Sequence, residues 1–127
     1  MSSGKNILVP FLIINNGDMA SEIISSVVDI SKIDNTAVQL IWTGNAEGEF
    51  FLEGCLNYAK ADTAARVANA GTWIPITLPT PAIADGASDE ILLDLNQLAF
   101  PYARIRYEPG VSPGTGTLNA WVSGKGI

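Results

Sequence analysis

The feature that most limits what this chain can become is a two-residue hydrophobic alternation, repeated along its length and interrupted by turn signals about every ten residues. In Val38-Gln39-Leu40-Ile41-Trp42, positions 38, 40 and 42 form one apolar face with Trp42 inside, and Thr43-Gly44-Asn45 closes the segment. Ala103, Ile105 and Tyr107 alternate with Tyr102, Arg104 and Arg106, and Leu118, Ala120 and Val122 alternate with Thr117, Asn119 and Trp121. Successive side chains of a strand point to opposite faces, whereas a helix groups residues three and four apart. These segments are therefore half-buried strands, dry on one side and wet on the other.

Further strand segments are Ile23 to Ile30, broken by Ser25-Ser26, Glu49 to Leu56, Trp73 to Leu78 and Glu90 to Leu95. With the apolar run Ile7 to Ile14 they bring the expectation to about eight strands in an all-β, antiparallel, jelly-roll-like sandwich, since short strands at this turn spacing are the mark of a sandwich. The window Tyr58 to Ala70 is rich in alanine but has no continuous apolar stripe, so it reads as a long loop with a helical turn. Pro79, Pro81, Asp85 and Gly86 mark an exposed connection, and Pro109 to Gly116 reads as a hairpin loop between the last two strands.

The apolar run at the start, Ile7-Leu8-Val9-Pro10-Phe11-Leu12-Ile13-Ile14, is too short for a membrane span, and Pro10 and Asn15-Asn16-Gly17-Asp18 do not fit a signal peptide. It is expected to form either an edge strand, which suits a proline without an N–H, or an arm on a neighbouring subunit carried by Ile7, Leu8, Val9, Phe11, Leu12 and Ile13. The organisation expected is thus residues 1–14 as arm or edge strand and residues 15–127 as a single sandwich domain.

Composition narrows the function. The absence of histidine removes Ser-His-Asp and Cys-His nucleophile pairs and every histidine metal site. A net charge of −6 disfavours nucleic acid and anionic membranes as partners. The single cysteine, Cys55, forms no internal disulfide and reads as a small buried thiol. Glu47, Glu49 and Glu53 share one strand face, where Glu49 and Glu53 resemble an acid/base pair in spacing, but alternating charge is also the wet side of an antiparallel sheet, and that reading is preferred. Asp85, Asp89 and Glu90 lack the spacing of a calcium loop, and Gly114-Thr115-Gly116-Thr117 is followed by a strand instead of the helix that a phosphate loop needs. No catalytic residue, cofactor or metal site is expected. The outward residues Tyr102, Arg104, Arg106, Asn119 and Trp121 form the candidate interface or ligand face, since interface centres are enriched in Trp, Tyr and Arg. With Trp73, the outward rings Trp121 and Tyr102 are also candidates for stacking on sugar rings.

Several segments carry a resemblance. Asn16-Gly17-Asp18-Met19, Asp34 to Gly44, Gly71-Thr72-Trp73, Asp94 to Tyr102 and Gly114 to Lys125 resemble a family of small structural proteins of tailed bacteriophages. Its motifs are a Thr-Gly after a tryptophan strand and a Pro-Gly-Thr-Gly-Thr-Leu-Asn run before the last strand; Glu108 to Val111 departs from the family pattern, and Ile7 to Ile14 lies outside it. The resemblance implies a β-sandwich component of the virion, made in the host cytoplasm, without catalytic residues. A mean hydropathy of +0.24 and an apolar content of 47% exceed what a solitary domain of this length needs to bury, which adds self-association. The functional expectation is a non-enzymatic capsid decoration or cement protein, homotrimeric or otherwise oligomeric, with the major capsid protein or another virion protein as partner. A tail or neck component and a displayed carbohydrate-binding module are the alternatives.

Overall fold

Each alternating segment becomes a strand in the computed structural model, which describes residues 7–59 and 69–126. The elements are β1 (Ile7–Asp18), β2 (Ile23–Ile24), β3 (Val28–Asp29), β4 (Asn35–Gly44), β5 (Glu47–Cys55), β6 (Ile74–Ile76), β7 (Ala82–Asp85), β8 (Asp89–Asn96), β9 (Tyr102–Pro109) and β10 (Gly116–Lys125). They form two antiparallel sheets that pack against each other. Sheet A has the order β1-β10-β4-β8; in sheet B, β9 and β5 are central, with β2 and β3 along β9 and β6 and β7 along β5.

Counting β2 with β3 and β6 with β7 as broken strands leaves eight strand positions. Sheet A then holds positions 1, 8, 3 and 6, and sheet B holds 2, 7, 4 and 5. This is the winding of a jelly roll, in which nearly every connection crosses from one sheet to the other. The first interruption falls at Ser25, whose hydroxyl accepts a hydrogen bond from the Ile105 N–H at 2.9 Å and whose own N–H donates to the Ile105 carbonyl at 2.9 Å. The strand continues in function while its ladder is broken.

Between the sheets lies a core of Ile14, Val38, Leu40, Trp42, Phe50, Leu52, Ile105, Tyr107, Leu118 and Val122 among others. Its aromatic centre is a stack of Trp42 on Phe50 at 5.0 Å and Phe50 on Tyr107 at 4.9 Å between ring centroids, both tilted. Tilted rings at such distances keep the favourable quadrupole arrangement. Trp42 is anchored by its indole N–H, which donates to the Ala87 carbonyl at 2.9 Å.

Three expectations need correction. The segment Pro109 to Gly116 is no hairpin: β9 belongs to sheet B and β10 to sheet A, so the loop is an arch between sheets. It lies against the arch from β4 to β5, with the Asn45 N–H donating to the Thr115 carbonyl at 2.8 Å and the Thr115 N–H to Asn45 Oδ1 at 2.9 Å. Gly44 turns there with a φ of 101°, and a side chain on it would collide with the Thr115 carbonyl. Secondly, the connection after Pro81 contains β7, whose alternation of buried Ala82 and Ala84 with exposed Ile83 is too short and too small to stand out between two prolines and Gly86. Thirdly, the initial run does not stop at residue 14, because β1 continues to Asp18 through three register shifts against β10. In this chain that run is the edge strand of sheet A. Most of the window Tyr58 to Ala70 lies outside the described residues. No helix among the described residues is long and apolar enough to cross a membrane.

Candidate functional site

Because the sandwich has two outward faces, the outward residues of β9 and those of β10 cannot act together. Tyr102, Arg104 and Arg106 lie on the outside of sheet B, and Asn119 and Trp121 on the outside of sheet A. The single face expected from alternation is divided in two. The reason is the arch at 110–115, which sends β10 to the other sheet while preserving the in/out phase of each strand.

On sheet B the register of β5 with β9 sets Phe51 beside Arg106, Glu53 beside Arg104 and Cys55 beside Tyr102. Glu53 sits at the centre. Its Oε1 accepts from Arg104 Nε at 2.8 Å and its Oε2 from Arg106 Nε at 2.9 Å. Arg106 also reaches Glu108 at 3.2 Å and Glu22 at 3.5 Å through Nη1. The guanidinium of Arg104 lies 4.4 Å from the Trp73 ring centroid, and that of Arg106 4.5 Å from the Phe51 ring. Under these planar groups Glu53 is only 4% exposed, so it is not part of a solvated face as the sequence pattern implied. Burial works against the Arg106 charge, and Glu53 and Glu108 outweigh it, so its pKa is raised above the ordinary arginine value.

This arrangement is closed. Both carboxylate oxygens of Glu53 are held by charge-assisted bonds, the strong class of hydrogen bond, and a general acid or base must instead reach the reacting proton. Glu49 stands on the same face, exposed and opposite Glu108. The aromatics are engaged too. Tyr58 stacks on Trp73 at 6.1 Å and meets Tyr102 edge-on at 5.2 Å, while the Trp73 N–H donates to the Ala70 carbonyl at 2.8 Å. Cys55 is buried beneath this layer on the outside of sheet B, outside the inter-sheet core, with its thiol 3.1 Å from Asn57 Oδ1. Nearby, Asp29 opposes Tyr102, and two bonds from Ser31, its hydroxyl at 2.6 Å and its N–H at 2.9 Å, hold the Asp29 carboxyl below its usual range.

Sheet A presents the opposite character. Its outer face carries a row of register neighbours across all four strands, Leu12, Trp121, Gln39 and Leu92. Trp121 is 40% exposed and Leu92 is 67% exposed. Ile41 lies on the same face between Asn119 and Glu90. At the start of β1, Ile7 and Val9 are also largely exposed, and Ile7, Leu8 and Pro10 wall a groove of about 380 Å³ that runs past Ala37 and Ser123 to Asp94. Of the arm residues, Phe11 packs partly on the core and Ile13 is buried in it, which ties the strand to its own chain. Leu92 was hidden in the sequence because Ile91-Leu92-Leu93 is a continuous apolar run, in which periodicity has no phase.

A third feature is a cleft of about 600 Å³ lined by Cys55, Leu56, Ile74, Ile76, Ala99 and Phe100, with no charged side chain among its lining residues. Comparison with protein-family models and with curated proteins finds no match for this chain. Among the described residues no group of three or more His, Cys, Asp or Glu side chains is placed to hold a metal ion; Asp85 lies on sheet B and Asp89 and Glu90 on sheet A. Trp121 is separated from Tyr102 and Trp73 by the thickness of the sandwich, so the three rings do not make one sugar-stacking platform.

Proposed function

We propose that this chain is a non-enzymatic structural protein of a tailed-bacteriophage particle, which associates with itself and binds the outside of the capsid as a decoration protein. The observation that carries the reading is the outer face of sheet A, where Trp121, Leu92, Ile7 and Val9 stay exposed. An exposed apolar patch rimmed by polar residues is the usual mark of a protein–protein surface. The jelly roll supports the same reading, as it is a common architecture of viral capsid domains, although lectin domains share it. The resemblance over Asp34 to Gly44 and Gly114 to Lys125 supplies the phage particle as the setting, since those residues build β4 and β10, the two central strands of sheet A.

The test is addition of the purified chain to heads of the encoding phage that lack it, followed by sedimentation and gold-labelled antibody staining in the electron microscope. Label spread over the head is the expected result. Label confined to tails transfers the protein to the tail or neck, and failure to co-sediment with heads or tails removes the particle assignment. Carbohydrate binding is a separate outcome, read as glycan-array signal that Trp121→Ala abolishes.

A further inference from the structure

We infer that the outer face of sheet A is where a second copy of this chain docks, face to face, about a two-fold axis parallel to the strands. The inference rests on the self-association part of the reading above and not on the phage particle.

Size comes first. Four strands at about 4.8 Å spacing and some nine residues at about 3.4 Å rise make a face of roughly 20 by 30 Å. That is on the order of 600 Å², close to the ~800 Å² per partner of a standard stable interface. The row Leu12, Trp121, Gln39 and Leu92 crosses the middle of this face, with an aromatic anchor between two aliphatic ends. Buried aromatics near the centre of an interface are where binding energy concentrates.

Charge selects the partner and its orientation. With a net charge of −6, two copies repel unless they meet on a neutral surface. The acidic groups of this face are concentrated on β8, at Glu90 and Asp94, whereas β1 has no charged residue from Ile7 to Gly17. An axis perpendicular to the strands would set β8 over β8 and bring carboxylates together. An axis parallel to the strands sets the acidic β8 of each copy over the uncharged β1 of the other. Leu92 of one copy then faces the region of Leu12 and Val9 of its mate. Sheet B also exposes Ile24, Ile74 and Ile83, but the middle of its outer face is the ion-paired cluster of Glu53, Arg104 and Arg106, where sheet A has a mostly apolar row.

The β1 edge argues for the face instead of strand addition on that side. β1 carries Pro10, which has no N–H to donate, and its Ile13 carbonyl already accepts from the Ser26 N–H at 3.2 Å. Proline and bulges on an edge strand are the usual barriers to edge-to-edge pairing.

Sedimentation velocity on the full chain at micromolar concentration tests the inference. The expected mass is that of two chains, falling to one chain for Leu92→Lys and for Gln39→Lys, while Ile83→Lys on the outer face of sheet B leaves it unchanged. Circular dichroism verifies that each variant is folded, and the two face variants stand in for each other if one is not. Orientation is read in a Cys55→Ala background with a bismaleimide spanning about 10 Å, the spacing of stacked sheets. A mixture of Leu92→Cys and Leu12→Cys chains gives cross-linked dimers in at least several-fold higher yield than Leu92→Cys alone. A wild-type mass of one chain overturns the inference together with self-association. A dimer untouched by both face variants overturns the face alone, and stronger Leu92→Cys self-cross-linking overturns the orientation. Binding to phage heads without dimerisation would leave the particle assignment standing and this inference fallen.

Discussion

The two outer faces of this sandwich are built from the same kind of strand and end in opposite states. On sheet B a buried carboxylate is clamped by two arginines, which are in turn covered by or stacked on Trp73 and Phe51, so polar and aromatic groups satisfy one another. On sheet A the corresponding positions are Leu12, Trp121, Gln39 and Leu92, and among them Leu92 and Trp121 stay exposed while Leu12 is half-buried. Outward residues therefore have two fates. Where opposite charges fall in register they close on each other and support the fold; where apolar side chains fall in register they remain available to a partner.

The comparison breaks most visibly at Glu53. Glu53→Ala leaves Arg104 and Arg106 without their shared counter-charge, and breaking a buried pair from one side costs about 3 kcal/mol. A urea titration should show the midpoint falling with an unchanged slope, and a loss below about 1 kcal/mol would mean the cluster is structurally idle. Arg104→Ala is expected to cost less, about 1.5 kcal/mol, because Arg106 still neutralises Glu53 while the stacking on Trp73 is lost. Near-ultraviolet circular dichroism reports that loss directly through the Trp73 environment.

A smaller effect is expected beneath sheet B. The Tyr107 hydroxyl is buried and has no hydrogen-bond partner among the described residues, so Tyr107→Phe should stabilise by up to about 1 kcal/mol. Burial, with Glu47 nearby, raises the Tyr107 pKa above the usual tyrosine value. The sign follows from linkage. A phenol whose folded pKa lies above its unfolded pKa of about 10 contributes stability fully present below that pH and lost as pH rises toward the folded value. Thermal melts from neutral to strongly alkaline pH should therefore fall less steeply for Tyr107→Phe than for the wild-type chain.

The smallest effect sharpens the contrast. Leu92→Lys should change the stability of the dilute chain by less than about 0.5 kcal/mol, because an exposed side chain away from packed features contributes little to folding. The melting temperature of the wild-type chain should rise with protein concentration, and that of Leu92→Lys should not, since association stabilises the folded form by mass action. A large loss in the dilute variant would place Leu92 in the fold instead of on a free face.

Much of this architecture was legible in the sequence, and the parts that were not share one cause. The inward set Ala103, Ile105 and Tyr107, the inward set Leu118, Ala120 and Val122, and the burial of Trp42 agree with alternation, whereas Cys55 is buried as composition implies but on the outer side of sheet B and not in the core. Side-chain direction in a strand is a local property with a period of two, so it can be read from neighbours along the chain. The strand positions follow in the same way, apart from β7, where two alanines make too weak a signal.

Which sheet a strand joins is not local. It depends on whether a loop such as 110–115 folds back as a hairpin or arches across the core, and here the Asn45–Thr115 contacts between two arches accompany the crossing. That single decision parts Tyr102, Arg104 and Arg106 from Asn119 and Trp121. The burial of Glu53 is decided at the same level, because its arginines come from a strand some fifty residues later in the chain. Periodicity, and with it an all-β chain of inward and outward residues, is written along the chain itself. Which outward residues meet is settled across the fold, since register between distant strands is set by the packing of the whole core and not by any one segment.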